Sequence, residues 1–419
     1  MSINNLNKYF IILSLLFFSC SNTNDPVVEQ EEENNITEVY FTLNVGEGYM
    51  DSFNEKWILV HDDEGNLLNY AQYKGGSTII FETEKTVSST LFVTDLTIQK
   101  GNTEYYNIKT HSEIPKGAIW DFESPFVKQI EVEGQFDLKL TNIPQGKSTI
   151  FSNIYGQNTS GWGGQQIDNN LITSYYTKEK QLGANDYLIT TFDQNGSGNF
   201  KHTFLEYGDG TDFTLDYEDF ESSDDIVDIL IPPYNFILAR LVGFEETEDP
   251  NSQIGYTTTY YNVNSSLTEE NTTWKFCFID RFPKYNLSMF MHLDGYSYAT
   301  GRSGGKFRDF NVPTKPNLNI TNPAIDNFIF NIDIDFDNKE VSWEHLDFDQ
   351  NNPLPNSSST WTFLSRKNYQ YKIIPELPED ILNLHPTLNV EELDYKQIQL
   401  SSSQDNTQGS VSEIFLIYN

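Results

Sequence analysis

Cysteine is nearly missing from this chain: Cys20 closes a short apolar leader and Cys277 is the only other one. If the chain is cut before Cys20 and that thiol is used elsewhere, no pair is left for an intrachain disulfide. Stability must then come from a core, and about 400 residues are ample for two or three domains. Basic residues are scarce as well. Lys and Arg number 26 against 61 Asp and Glu, a formal net charge of −35, and loss of residues 1–19 removes Lys8 and no acid. Nucleic acid and anionic lipid are therefore poor partners, since both are bound by cations that neutralise phosphate. The acidity reads as solubility and makes Ca²⁺ a plausible counter-ion without calling for a dedicated metal site or any cofactor. Also missing are His-Glu-x-x-His, paired-cysteine zinc spacing and a phosphate-cradling Gly loop followed by a helix. With no catalytic motif on view, the expectation is a protein that is not an enzyme, although paired carboxylates of a glycosidase would be hidden among so many acids.

Long apolar runs are absent except at the start. Lys8 precedes Tyr9-Phe10-Ile11-Ile12-Leu13-Ser14-Leu15-Leu16-Phe17-Phe18, followed by Ser19-Cys20. This is the layout of a secretory signal peptide. The run is about half of the ~20 residues that a spanning helix needs. The cysteine directly after the cut resembles a bacterial lipoprotein signal, and Ser19 fits that pattern, while Phe17 and Phe18 stand where Leu and a small residue are usual. The Phe-rich form resembles the leaders of Bacteroidota surface lipoproteins of uncharacterised function. That resemblance covers the first twenty-odd residues and implies a mature chain beginning at a lipidated Cys20, in the cell envelope, on an outer membrane, exposed at the surface or facing the periplasm. Each buried acyl methylene adds about 0.8 kcal/mol, so several chains anchor stably without inserting the protein. Residues 20–36 then read as the lipidated cysteine and a disordered acidic tether.

From Thr37 the hydrophobic period is two almost everywhere. Val39, Phe41, Leu43 and Val45 alternate with polar or smaller neighbours, and Trp57–Val60 and Leu67-Leu68 flank an acidic turn at His61–Asn66; both are strand signals. Helical signal is confined to a turn or two at Glu379–Leu384 and Glu391–Tyr395. Many short strands at regular turn spacing predict an all-β chain of tandem antiparallel β-sandwiches, immunoglobulin- or fibronectin-like, at 37–124, 125–222 and 223–419, the last as one sandwich or two. Beyond the leader, the resemblance to surface lipoproteins built of stacked sandwiches is architectural. Some of that class bind polysaccharide and others are adhesion or scaffold proteins.

Aromatics are abundant, with 24 Tyr, 30 Phe and 6 Trp. Trp57, Trp120, Trp274, Trp343 and Trp361 sit in apolar or alternating runs and read as core. Trp162 lies in the polar stretch Asn158–Gln166, where the ring with the amides of Gln165 and Gln166 suits stacking on a sugar, the alternative being a plug over a sandwich end. Tyr256, Thr258 and Tyr260 would share one strand face, a second polar-aromatic surface or simply good strand formers. Asp333, Asp335 and Asp337 alternate and would project from one face, either solvated or around a cation such as Ca²⁺. Cys277 reads as an inert packed thiol, since no basic cluster accompanies it. Gly301-Arg302-Ser303-Gly304-Gly305 resembles the nucleophile string of trypsin-like proteases but carries Arg302 in place of the acid, and reads as a turn.

The leading expectation is thus a non-enzymatic, membrane-anchored binding module for glycan, with a structural or protein-binding scaffold as the alternative and a carbohydrate-active hydrolase after that. Replacing Cys20 with Ser is expected to move the protein from the detergent phase to the aqueous phase on detergent partitioning of cells. Retention in the detergent phase would show that anchoring does not depend on acylation at Cys20.

Overall fold

The computed structural model describes residues 37–49, 54–123, 131–155, 164–181, 186–206, 212–246, 254–264, 270–308, 310–348, 355–406 and 409–418. The leader, Cys20, the tether and Trp162 lie outside the described residues. The fold is all-β, with mostly antiparallel sheets and one short α-helix at Glu379–Leu384.

Its backbone is a twelve-stranded sheet in the order Gly255–Asn264, Tyr234–Phe244, Lys284–Leu293, Tyr296–Gly304, Gly409–Tyr418, Asp394–Asn406, Asn338–Phe348, Pro355–Arg366, Glu104–Pro115, Thr90–Gln99, Asn54–His61, Leu67–Gln72. Every ladder in it is antiparallel except one. Pro355–Arg366 runs parallel to Glu104–Pro115, with Trp361 opposite Ile108. Strands from either side of the expected boundaries at 124 and 222 therefore share one sheet.

The two faces of this sheet differ. On its back, Leu96, Ile98, Tyr106, Ile108, Val341, Trp343, Trp361 and Ile398 join one large core that also takes in Ile229, Trp274 and Phe276. Two buried indole N–H groups there find acceptors, as burial of a polar group favours, while that of Trp274 has none among the described residues. Trp343 donates to the Pro323 carbonyl at 2.7 Å and Trp361 to the Thr110 hydroxyl at 2.9 Å. On its front, at one end, Ile58, Val60, Leu91 and Val93 pack beneath a three-stranded sheet of Thr78–Thr83, Glu38–Val45 and Ala118–Phe122. A third core lies between the sheet of Gln165–Asp168, Leu171–Gln181, Val132–Pro144 and Phe213–Asp216 and that of Glu221–Ser222, Lys201–Glu206, Asp186–Asp193 and Lys147–Ser152.

Several sequence expectations change. Phe41, Leu43 and Val45 are buried as the alternation requires, but Val39 is 43% exposed and Tyr40 buried, because the ladder slips between Val39 and Phe41 and reverses the phase. Gly301–Gly304 is no turn: it lies in the strand Tyr296–Gly304, with Gly301 opposite Ser412. The alternating Asp333, Asp335 and Asp337 do not lie in a strand either, since pairing there ends at Asn331. The acidic hairpin turn does form. Asp62 accepts from the Glu64 and Asn66 backbone N–H groups at 3.0 and 2.9 Å, and Gly65 takes φ +84°.

Trp343 is fully buried, so its replacement by Ala is expected to cost about 3–5 kcal/mol, as large-to-small aromatic core changes do. Urea unfolding should show a lower midpoint at unchanged slope. A loss under about 1 kcal/mol would place Trp343 outside the cooperative core.

Candidate functional site

A groove of about 650 Å³ opens on the front of the large sheet, where the edge strand Ala118–Phe122 overhangs Thr90–Gln99 and Glu104–Pro115. Tyr49, Trp120 and Phe122 supply its rings, and Asp95, Lys109, His111 and Asp121 its polar groups. The local sequence explains the placement. In Ala118-Ile119-Trp120-Asp121-Phe122, alternation turns Trp120 and Phe122 toward the large sheet, while Ile119 faces solvent at 62% exposure. Among the described residues this strand has one neighbour only, and both rings are half-buried rather than sealed.

The rings hold one another. Trp120 meets Phe41 edge-on at 5.3 Å between centroids and His111 at 4.8 Å, and Phe122 stacks on Tyr49 at 5.1 Å. These are favoured aromatic geometries, each adding about 0.5–1.5 kcal/mol beyond area burial. The Trp120 indole N–H has no hydrogen-bond partner among the described residues, leaving a donor for a ligand. Lys56 lies over the Tyr49 ring at 5.0 Å.

Charge in the groove is arranged unevenly. Burial raises the Asp95 carboxyl above its usual range, while the Tyr73 hydroxyl, donating to it at 2.8 Å, and nearby Lys56 and Lys109 pull the other way. Asp121 accepts from the Asn44 amide at 2.7 Å. Burial lowers His111 to about 4, aided by Lys109, so the ring is neutral at pH 7. The groove therefore offers rings, hydrogen-bond acceptors and a neutral imidazole, a set suited to an uncharged hydroxylated ligand.

The sequence-predicted sites fare differently. Gln165 and Gln166 are exposed on the edge strand Gln165–Asp168, opposite Ser174 and Thr173, in a different sheet from those that form this groove. Tyr256, Thr258 and Tyr260 form no open face. Thr257, Thr258 and Thr259 are fully buried, because Gly255–Asn264 is packed on both sides and the Thr257 N–H donates to the Ser152 hydroxyl at 2.7 Å. The three alternating aspartates do not converge. Asp333 accepts from the Asn317 backbone N–H at 2.9 Å, Asp335 pairs with Lys367, and Asp337 accepts from the Ser403 N–H at 2.9 Å. No group of three potential ligand side chains is disposed to hold a metal among the described residues. Cys277 is buried, and its thiol is pushed up to about 12 by desolvation, which makes it inert. Trp120, expected in the core, packs against the core beneath the three-stranded sheet and also lines the groove; its edge-strand position is a property of strand order and not of the local sequence.

The depressed His111 value has a testable sign. Between about 4 and 6.5 the unfolded chain binds a proton that the folded one refuses, so this group's share of stability is complete above pH 6.5 and is lost as pH falls toward 4. The His111 ring resonances should titrate with a midpoint near 4 by NMR. A midpoint near 6.5 would mean a solvated ring and an unfilled contact with Trp120. No protein-family model matches the chain, and no curated protein does.

Proposed function

We propose that this protein is a membrane-anchored surface lipoprotein that binds polysaccharide through the Trp120 groove. The observation that carries the reading is the pairing of half-buried, pre-packed rings with acceptors and a neutral imidazole in one open groove. A sugar ring presents an apolar face and an equatorial belt of hydroxyls, and such a site meets both. The leader supports a lipid anchor at Cys20 on an outer membrane, and the acidic tether supports a binding region held away from that membrane. The net charge of −35 argues against nucleic acid and anionic lipid as ligands. The facing sheets fit a reading as β-sandwich layers that share strands, in place of fully separate tandem domains. Among the described residues no helix is long and apolar enough to cross a membrane.

A scaffold role is the second reading, and one observation favours it. The edge strand Gln165–Asp168 is exposed at every residue, with Ile167 at 60%, and an open edge invites pairing with another chain.

Affinity electrophoresis of residues 21–419 on a panel of polysaccharides, with and without Ca²⁺, separates these readings. A retarded wild type is expected, with Trp120→Ala binding at least tenfold more weakly, about 1.4 kcal/mol. Trp162→Ala, together with Gln165→Ala and Gln166→Ala, tests the loop site independently. If no glycan retards the wild type, the glycan reading falls and the exposed edge strand becomes the surface to test for a protein partner. Release of reducing ends during the assay would instead make the groove, with Asp95 and Asp121 on its walls, a hydrolytic one.

A further inference from the structure

We infer that the groove is one end of a longer trough which takes several consecutive units of a linear, uncharged polysaccharide, laid across the strands of the twelve-stranded sheet. This rests on the glycan reading above and names its ligand class. A second hollow of about 440 Å³ lies beside the first and shares His111 and Ile114 with it. Its further lining includes Glu340, Leu364, Arg366 and Gln399.

Register shows that the two hollows lie along one surface. His111 stands opposite Leu364, Leu364 opposite Glu340, and Glu340 opposite Gln399. In the neighbouring row Asp95 stands opposite Lys109, Lys109 opposite Thr362, Thr362 opposite Ser342, and Ser342 opposite Gln397. Directly opposite side chains share a face, so both rows continue the front face that carries Asp95. The alternate residues Ile108, Trp361, Val341 and Ile398 go to the core behind. Five strands, from Thr90–Gln99 to Asp394–Asn406, make four spacings of ~4.8 Å, or roughly 19 Å of trough, more than one sugar ring fills.

The chemistry of the strip selects the ligand. Hydroxyls and amides both donate and accept, as sugar hydroxyls do. The backbone groups of these central strands are spent in the ladders, so a peptide could not add here as a strand and would need a free edge. The cation Lys109 is balanced across the strip by Glu340 at 4.0 Å, and the whole chain is strongly negative. Sulfated or uronic polymers are therefore repelled and neutral ones admitted.

The test is a calorimetric length series on residues 21–419, using neutral glucan, xylan and mannan oligosaccharides of two to six units, with sulfated dextran as the charged arm. For the sugar type that binds, affinity is expected to rise at least tenfold from two units to six. The Gln397→Ala/Gln399→Ala double variant should lose at least fivefold on the six-unit ligand and under twofold on the two-unit one. Both glutamines are solvent-accessible on a sheet whose core lies behind it, and circular dichroism checks that the variant folds. Affinity flat beyond two units, or a double variant that behaves as wild type, overturns the trough and leaves the single-ring groove standing. Binding of sulfated dextran as tight as that of neutral ligand overturns the charge selection. If nothing binds even at the groove, with Trp120→Ala and wild type alike, it is the glycan reading itself that has failed.

Discussion

The ladder between Glu104–Pro115 and Pro355–Arg366 runs parallel and joins residues about 250 positions apart, as in the 2.9 Å bond from the Trp361 indole to Thr110, 251 residues away in sequence. Without it the large sheet would part into an early four-stranded piece and a later eight-stranded one. The core behind it draws on both pieces, Leu96, Ile98, Tyr106 and Ile108 from the early one and Val341, Trp343, Trp361 and Phe363 from the later, and Tyr106 meets His385 edge-on across the seam at 5.9 Å. The front depends on the same ladder, since it alone sets His111 beside Leu364 and Lys109 beside Thr362. Pairings of such separation close late and slowly, because loop-closure entropy is lost before the contacts repay it. The fold therefore commits the front strip and its largest core to one long-range event.

What the sequence made legible was periodicity, and therefore strands. What it hid was which strands are neighbours. Trp120 and Trp361 sit in similar alternating runs, yet one is half-exposed and the other buried, because Ala118–Phe122 is an edge and Pro355–Arg366 is central. Tyr256–Tyr261 looked like a half-polar face because Tyr and Thr alternate there. It is an edge strand of the large sheet, but Lys147–Ser152 and Thr272–Cys277 pack against it and bury it, and the threonine hydroxyls find partners inside, as Thr258 does on the Cys277 carbonyl at 2.9 Å. Gly301–Gly304 reads locally as a turn, and its pairing with Tyr285–Ser288 on one side and with Gly409–Ser412 on the other makes it a strand. The aspartates at 333, 335 and 337 kept the right spacing for one face but not the backbone, which leaves the ladder after Asn331 and turns each carboxylate to its own donor.

Electrostatics are managed locally against a strongly acidic background. Asp225 is held below the usual carboxylate range: its desolvation is outweighed by Lys306 at 2.7 Å and by Arg308, and Lys306 also reaches Asp280 at 2.7 Å. Asp186 and Glu245 likewise share Arg281. Lys306 and Arg281 are thus placed where acids crowd, each relieving two carboxylates at once. Such partly exposed pairs are individually worth little, so their contribution is to remove repulsion more than to add attraction.

The groove escapes this pattern, and that is the strongest physical argument for recognition there. A ring that only filled space would be covered; Trp120 is instead braced on one side by Phe41 and His111 and left open on the other. Neutral His111 makes that brace possible at pH 7, because an imidazolium packed beneath an indole and beside Lys109 would have to be desolvated against a like charge. Holding the rings in place before a ligand arrives removes part of the ordering cost of binding, which is what separates a usable shallow site from an equally large but mobile one. The lipid anchor proposed above works in the same direction. Molecules confined to one membrane face can engage one long polymer at several points, and each contact after the first is intramolecular. A trough of modest affinity per molecule is then sufficient, and a deep enclosed pocket is not required.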